Sequence, residues 1–552
     1  MMKIQKKIIN NLILSLISFT LLIIVLYLTV RIFIFIVADY AWYEKFFGFL
    51  LLAAQFFVLT HGFGYFLNLF RVINSDEKND APQELKSMEL YEYPPVAIIV
   101  SSFREPIEIV EDTLVSFYNL TYPNKRIYFL DDTRYDTGDW TSAENADFYR
   151  KQVDDMCQRI GVDLFRRKWR GAKAGMINDF MNFLDGSPPA GFSYQACAHW
   201  ENTKPGSEKY IIVFDADQNP FPDFVEPLIA RMEANADVAF IQTPQYYTNF
   251  EGNRVARASG LQQAVFYEYI CEGKSMQDAM FCCGTNVVFR RKALKDVGGF
   301  DEASVTEDFA TSLKFHLKGW SSAYLNKVSA FGDGPEDLGA YFKQQFRWSL
   351  GTVGLFREIV KAFVKNPGRL NLYKWWEYML SCTHYFIGWV MLILVISPVL
   401  FILFNIPTYF AKPELYFMFY IPYILLSFSL FLWSLRQRRY KFFEIVNGVL
   451  LQAICFPVYM KASLLAISGY RGSFKTTPKG QSLSLPFYTL WPQVGLALLC
   501  FTAAIWAGMR IYFERELVLA LSVNSFWCLY HFLILVFVVY FNHPLEKEPE
   551  SL

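Results

Sequence analysis

The strand-like run YIIVF at Tyr210 to Phe214 ends in Asp215-Ala216-Asp217. Two carboxylates two residues apart on an extended chain point to the same side. Such a pair can hold a hard divalent cation, which bridges phosphate oxygens and neutralises a departing diphosphate. Turn residues capping the next element are the structural alternative, and the preceding strand weighs against it. A second strand-like run ends in Asp131-Asp132, within FLDDTRYDTG; these carboxylates can accept hydrogen bonds from a base or ribose, or form a turn. In RGAKAGMIND small residues surround Lys173, so its ammonium can approach a phosphate closely, with a plain helix start as the other reading. TED at Thr306 to Asp308 follows a GGFDE turn. Asp308 is the candidate general base, because attack by a hydroxyl on the face opposite a leaving group needs a proton acceptor. Thr306 as an N-cap and Glu307 near a helix start account for the same tripeptide without chemistry.

The most specific piece is QQFRW at Gln344 to Trp348. Arg347 can bind a diphosphate through its planar donor fork, Gln344 can add donors, and Trp348 offers a flat apolar face to a pyranose ring. An amphipathic helix at a membrane interface also explains Arg and Trp together.

These residues need elements to hold them. From about Asn74 to Asn366 the chain alternates short apolar runs with helical segments, the pattern of an α/β domain with a mainly parallel sheet. The expected strands are Val96 to Val100, Arg126 to Leu130, Tyr210 to Phe214, Val238 to Gln242 and Ser322 to Leu325. Ligands of such sheets sit beyond the carboxyl ends of strands, where both aspartate pairs fall.

On either side the chain is apolar. Overall 53% of the 552 residues are hydrophobic and 18% aromatic, concentrated toward the two ends, as in a membrane protein with an inserted soluble domain. Six crossings are expected: Ile8 to Val37, Phe46 to Phe70, Tyr385 to Phe404, Tyr416 to Leu435, Leu485 to Ala507 and Leu517 to Phe541. Phe442 to Ile467 is read as an interfacial helix, since a further crossing would put the lysine-bearing loop after it outside. Lys3, Lys6, Lys7, Arg71 and the Arg436 to Lys441 cluster place the soluble domain and both termini in the cytoplasm by the positive-inside rule.

The expected division is a membrane hairpin at 1–72, a catalytic domain at 73–336 and amphipathic interfacial helices at 337–376. A membrane pair at 377–436, an interfacial helix and loop at 437–484, and a last membrane pair with a short tail at 485–552 complete it. Lysine plus arginine and aspartate plus glutamate each total 52, so overall charge gives no argument for nucleic acid as a partner. The nine cysteines show no zinc-like spacing and read as reduced packing residues.

Taken in order, LDD, KAG, DAD, TED and QQFRW resemble the signature of processive family 2 glycosyltransferases, the group that includes cellulose and hyaluronan synthases. The resemblance runs from about Pro94 to Trp348. It implies a GT-A fold and an inverting, Mg²⁺- or Mn²⁺-assisted hexosyl transfer from a UDP-sugar. By this resemblance Asp131, Asp132 and Asp215 would hold the uridine diphosphate, Asp217 with Asp215 the metal, and Lys173 the phosphates. Asp308 would be the base, Gln344 and Arg347 would grip the diphosphate, and Trp348 would stack under the acceptor.

FCCGTN at Phe281 to Asn286 is similar to the FFCGS-type segment beside the acceptor sugar, bringing in Phe281 and Cys283. FKTTPKG at Phe474 to Gly480 is similar to an FxVTxK gating loop, so that Phe474, Thr477 and Lys479 would close over the nucleotide; Thr476 replaces the pattern's valine. DADQNP lacks the histidine common after the second aspartate, and Gly186 to Lys209 reads as an added loop. No PilZ module for cyclic di-GMP is expected after the last crossing.

The leading expectation is a processive synthase that turns UDP-glucose into a β-linked glucan, cellulose-like or with β-1,3 or mixed linkages, and passes it through its own membrane helices. Its partners would be the donor, the growing polysaccharide and membrane lipids, and the resemblance admits accessory export subunits. Alternatives are a synthase of hyaluronan or poly-GlcNAc, a non-processive transferase acting on a lipid acceptor, and a nucleotide-sugar-binding scaffold. A scaffold has no need of a base at Asp308.

Overall fold

The computed structural model describes residues 2–78, 90–136, 140–197, 204–250, 253–410, 413–437, 440–470, 472 and 484–543. The gating-loop residues Phe474, Thr477 and Lys479 lie outside them.

Five strands form where the apolar runs predict them: β1 (Val96–Ser102), β2 (Lys125–Asp131), β5 (Tyr210–Asp215), β7 (Val238–Gln242) and β9 (Ser321–Tyr324). Shorter strands β3 (Asp163–Arg166), β4 (Ser193–Gln195) and β8 (Val287–Arg290) complete an eight-stranded sheet of order β4-β3-β2-β1-β5-β8-β7-β9. The sheet is mixed. β3, β2, β1 and β5 run parallel, whereas β8 lies antiparallel between β5 and β7. β7 pairs parallel with β9, and β4 closes the other edge antiparallel to β3.

Both faces are covered, which is why the strands are nearly continuous in apolar residues. Val96, Ile98 and Val100 of β1 point into one core with Val110, Leu114, Val153 and Leu228 from the helices on that side. Ala97 and Ile99 point into the other, with Met176, Ile177, Phe180 and Phe315. Parallel register brings Ser101 level with Asp215 and Ser102 level with Asp131. The carboxyl ends of three adjacent strands therefore form one edge. A two-stranded ribbon, β6 (Gln218–Pro220) with β10 (Ala330–Gly332), follows the DAD segment directly.

Among the described residues five helices are long and apolar enough to cross a membrane: Ile9–Val37, Trp42–Ser75, Leu372–Phe404, Phe487–Phe513 and Val518–Asn542. They make this an integral membrane protein. A sixth is added if Phe442–Ile454 and Phe456–Ile467, which meet at 46°, count as one span. The helix Pro413–Gln437 forms where the fourth crossing is expected, but its apolar stretch, Tyr420–Leu435, is shorter than those five. The third apolar stretch starts at Leu372, earlier than the expected Tyr385, because Leu372–Thr383 leads through a single 3-10 turn into Ile387–Phe404. Small residues, Ala497, Ala503, Ala504 and Ala507, fill the contact among the last helices, letting backbones approach closely.

Candidate active site

The sheet edge opens on a cavity of about 200 Å³ that Asp132, Lys173, Asp215, Asp217, Asp308 and Arg347 all line, with Gln344 and Trp348. Three of the five sequence motifs, KAG, DAD and TED, are tied together there by a further segment, FCCGTN. The Asp215 amide donates to Thr285 Oγ1 at 2.8 Å. Lys173 forms an ion pair with Asp215 and donates to the Gly284 carbonyl at 2.9 Å. Gly284 has φ +85°, and a Cβ there would stand 3.0 Å from Asp308 Oδ2. Only glycine suits that position on both counts.

Asp308 is in the first turn of the helix Glu307–Lys318, where its Oδ1 accepts from the Phe309 amide at 2.8 Å. Burial and the neighbouring Glu307 push its pKa up to about 7, against the opposing pull of Lys173 and Arg347. A carboxyl so poised suits a general base working near neutrality. Glu307 is raised by burial too. Thr306 stands at the N-cap position with Glu307 opening the helix, as the capping reading has it, but the Thr306 side chain makes no cap hydrogen bond.

For Lys173, burial opposes the charge, but Asp215, Glu307 and Asp308 together outweigh it and raise its pKa. It stays an ammonium at neutral pH.

Gln344, Arg347 and Trp348 lie on one face of the helix Leu338–Gly354, three and four residues apart. Asp337 caps this helix by accepting from the Ala340 amide at 2.7 Å. Its Gly351 lets TED pack against it: a Cβ there would come within 2.5 Å of the Thr306 side chain. The helix carrying Gln344, Arg347 and Trp348 and the turn carrying Asp308 are thus held as one unit.

Of the LDD pair, Asp132 reaches the cavity and Asp131 does not. Asp131 is 2% exposed, bonded to Arg166 Nε at 2.6 Å and to the Tyr135 hydroxyl at 2.6 Å. Asp132 faces Arg167 at 3.2 Å, and burial pushes its pKa up to about 7. Phe281 lines a second cavity, and Cys283 lines both. The pattern reading missed Tyr247, Gln245 and the loop Asp333 to Glu336, all on the wall of the first cavity. Tyr247 accepts from Gln263 Nε2 at 2.6 Å, and nothing in the PQYYTN stretch distinguishes it beforehand.

The second cavity, about 440 Å³, begins where the first ends. Gln245, Cys283, Thr306, Asp308 and Trp348 line both. From there it runs between the helix Trp42–Lys78, through His61, Gly64 and Asn68, and the helix Leu372–Thr383, through Glu377, Leu380 and Ser381. A π-helical segment, Phe266–Cys271, turns Phe266, Tyr267 and Ile270 onto its wall, as such bulges do at functional sites. Among the aromatics of this membrane region Tyr385 faces the cavity, while Trp375 and Tyr378 are packed in a core beside it. His384 lines it with His61, and His531 is buried elsewhere among the last helices.

A divalent cation is implied by the motifs. Asp215 and Asp217 both line the smaller cavity, and among the described residues no group of three or more His, Cys, Asp or Glu could hold a metal ion. Two carboxylates alone match a cation that completes its shell with substrate phosphates and water.

Comparison with known proteins agrees with this geometry. Residues 97–298 match the model of glycosyl transferase family 2 and residues 210–432 that of glycosyl transferase family group 2. The UDP-forming cellulose synthase catalytic subunit of Pseudomonas fluorescens is 26% identical over 511 residues, 89% of this chain and 62% of that protein. The cellulose synthase 1 catalytic subunit of Komagataeibacter xylinus is 25% identical over 530 residues, 92% and 64%. The chain thus spans under two thirds of the length of these relatives. A mannosyltransferase structure from Pyrobaculum calidifontis, in complex with GDP-Man and Mn²⁺, is similar at a TM-score of 0.46 and 13% identity, covering 76% of this chain and 99% of that one. The two family models span the mixed sheet with its DAD edge and the helices that follow, and with these relatives the chain resembles the family 2 glycosyltransferases that include the cellulose synthases: a GT-A type domain set between membrane helices.

Proposed function

We propose that the protein is a processive, inverting hexosyltransferase that polymerises UDP-glucose into a β-linked glucan and passes the chain out through its own membrane helices. The observation that carries this reading is the shared wall of the two cavities. In this reading a product formed at Asp308 leaves along the larger cavity, whose wall includes residues of the helices Trp42–Lys78 and Leu372–Thr383.

In this reading the diphosphate lies against Lys173, Gln344 and Arg347, whose donors neutralise the charge that develops as the sugar leaves. Asp215 and Asp217 would hold Mg²⁺ or Mn²⁺, which when bound stabilises the departing diphosphate. Asp308 takes the proton of the acceptor hydroxyl, and Trp348 supports the acceptor ring from below. Asp132, paired with Arg167, takes the place at the nucleotide that the family motif gives to the LDD pair, while Asp131 behind it anchors the turn through Arg166, Tyr135 and the Thr133 amide. The orientation is cytoplasmic for the domain and both termini, in the plasma membrane, by the arginine and lysine placement.

The second cavity is lined largely by apolar and aromatic side chains, which favours one alternative, transfer to a lipid-borne acceptor. Purified protein incubated with Mg²⁺ or Mn²⁺ and single UDP-sugars separates the two. UDP-glucose alone is expected to yield high-molecular-weight polymer that a β-glucanase degrades, with Asp308→Asn lowering UDP release by ~10²- to 10⁴-fold. UDP release only on addition of a lipid acceptor, without polymer, overturns the synthase reading.

A further inference from the structure

The larger cavity carries a charged feature that the transfer reaction does not employ. Lys274 and Glu377 both line it and form an ion pair at 2.9 Å, with side chains 4% and 2% exposed. Lys274 Nζ also donates to Ser381 Oγ at 2.7 Å and stands 5.0 Å from the centre of the Phe281 ring. Glu377 accepts from the Tyr373 hydroxyl at 2.5 Å and from Asn68 Nδ2 at 3.3 Å. A buried ion pair is weak support for stability, because desolvation offsets most of its attraction. Glu377 lies in the apolar stretch Leu372–Phe404, where a charged side chain is instead a mark of function.

Lys274 is the one lysine or arginine among the residues lining this cavity, and Asp308 stands with Glu377 as its acids. The pair cancels itself, so the described wall offers no surplus positive charge to a chain that carries carboxylates. A polyanion leaving Asp308 would move past two carboxylates and one masked ammonium.

We propose that Glu377 is a specificity-determining residue: by masking Lys274 it makes the acceptor cavity select an uncharged glycan over one bearing uronates. This deepens the reading above and rests on its glycan acceptor. It also names the substrate class, separating a glucan or another neutral chain from a hyaluronan-like product. The effect is exerted on the acceptor and leaves the donor site untouched, since neither residue lines the smaller cavity.

The test uses the full-length protein in detergent and two probes of equal length, a neutral β-glucan tetrasaccharide and a uronate-containing tetrasaccharide, with binding read by tryptophan fluorescence. Wild type is expected to prefer the neutral probe by ~10-fold or more, the size of an unfavourable charge contact in a partly screened site. Glu377→Gln keeps the side-chain shape and leaves Lys274 bonded to Ser381; it is expected to bring that ratio below ~3 by gaining affinity for the acidic probe. Lys274→Gln leaves Glu377 unmasked and moves the ratio the other way, so the two variants check each other should one fold poorly. A ratio unchanged in both variants, or both probes weakened alike, overturns the proposal. UDP release and polymer formation are followed separately. Polymer formed with an unaltered binding ratio sinks the selectivity alone, whereas neutral-probe selectivity without any polymer sinks the processive reading and keeps the selectivity.

Discussion

The two cavities that meet at Asp308 are built of opposite materials. The smaller is a sheet-edge site, where strand ends and a helix face gather Lys173 and Arg347 against Asp132, Asp215 and Asp217. The larger is a helix-lined space in which aromatic and aliphatic side chains predominate, with glutamines and two histidines among them and one self-cancelling ion pair. The first is suited to grip a charged, compact group and release it; the second is suited to a long, uncharged chain that must slide. In the proposed reaction that contrast gives the GT-A type domain and the apolar helices separate tasks. Electrostatic grip and sliding contact would then fall to different walls, with Asp308 and its neighbours lining both.

Three changes would break or sharpen this contrast. The largest effect is expected at Arg347, on the charged side. Arg347→Ala should lower kcat for UDP release by ~10²-fold, the scale of losing a preorganised donor at a developing anion, and Arg347→Lys should recover part of it without the fork geometry. Equal activity in both variants would show that the helix face does not hold the diphosphate. Next is Gly351→Ala, which touches neither cavity's ligand. The added methyl must displace Thr306, which lies within 2.5 Å of it, and with it the turn that carries Asp308, the proposed base. A fall of ~10-fold in kcat with an unchanged donor KM is expected, since misplacement of the reacting groups acts on the rate. A loss of folding without that kinetic split would mean the contact is only packing.

The smallest effect is on pH dependence. Asp308 carries a pKa pushed up to about 7 by burial and Glu307. A raised pKa means the ionised, proton-accepting form is lost as pH falls through about 7, so kcat/KM should fall on the acid side of that value. Glu307→Gln removes one raising influence and should move the acid limb to lower pH. An unmoved limb would assign it to another group.

Much of the domain was legible because its central strands are buried on both faces. β1, β2 and β5 are runs of consecutive apolar residues, and those survive in the sequence as plain signals. β3, with Asp163 and Arg166 at its ends, and the three-residue strands β4, β6 and β10 are too short and too polar to be seen. The antiparallel insertion of β8 between β5 and β7 is set by long connections rather than by any local pattern, so the mainly parallel sheet expected from strand-helix alternation is in fact mixed.

In the site, the motif residues Lys173, Asp215, Asp308 and Arg347 do converge, since each sits at a strand end or a helix turn that the pattern marks. Asp132 and Asp131 were indistinguishable until strand geometry turned one to the cavity and the other to Arg166. The Lys274–Glu377 pair could not be read at all. Its partners are 103 residues apart and meet through helix packing, and the π-helical turn before Lys274 shifts which side chains face inward.

The most direct test of the account is to reconstitute the protein in sealed vesicles and select those with the GT-A domain outward. They are given labelled UDP-glucose and Mg²⁺ outside, and added β-glucanase then separates exposed from enclosed product. The account predicts labelled polymer that resists the glucanase until the vesicles are opened by detergent. Polymer digested in sealed vesicles, or label recovered only in lipid, would contradict the claim that the two cavities form one path from donor to membrane.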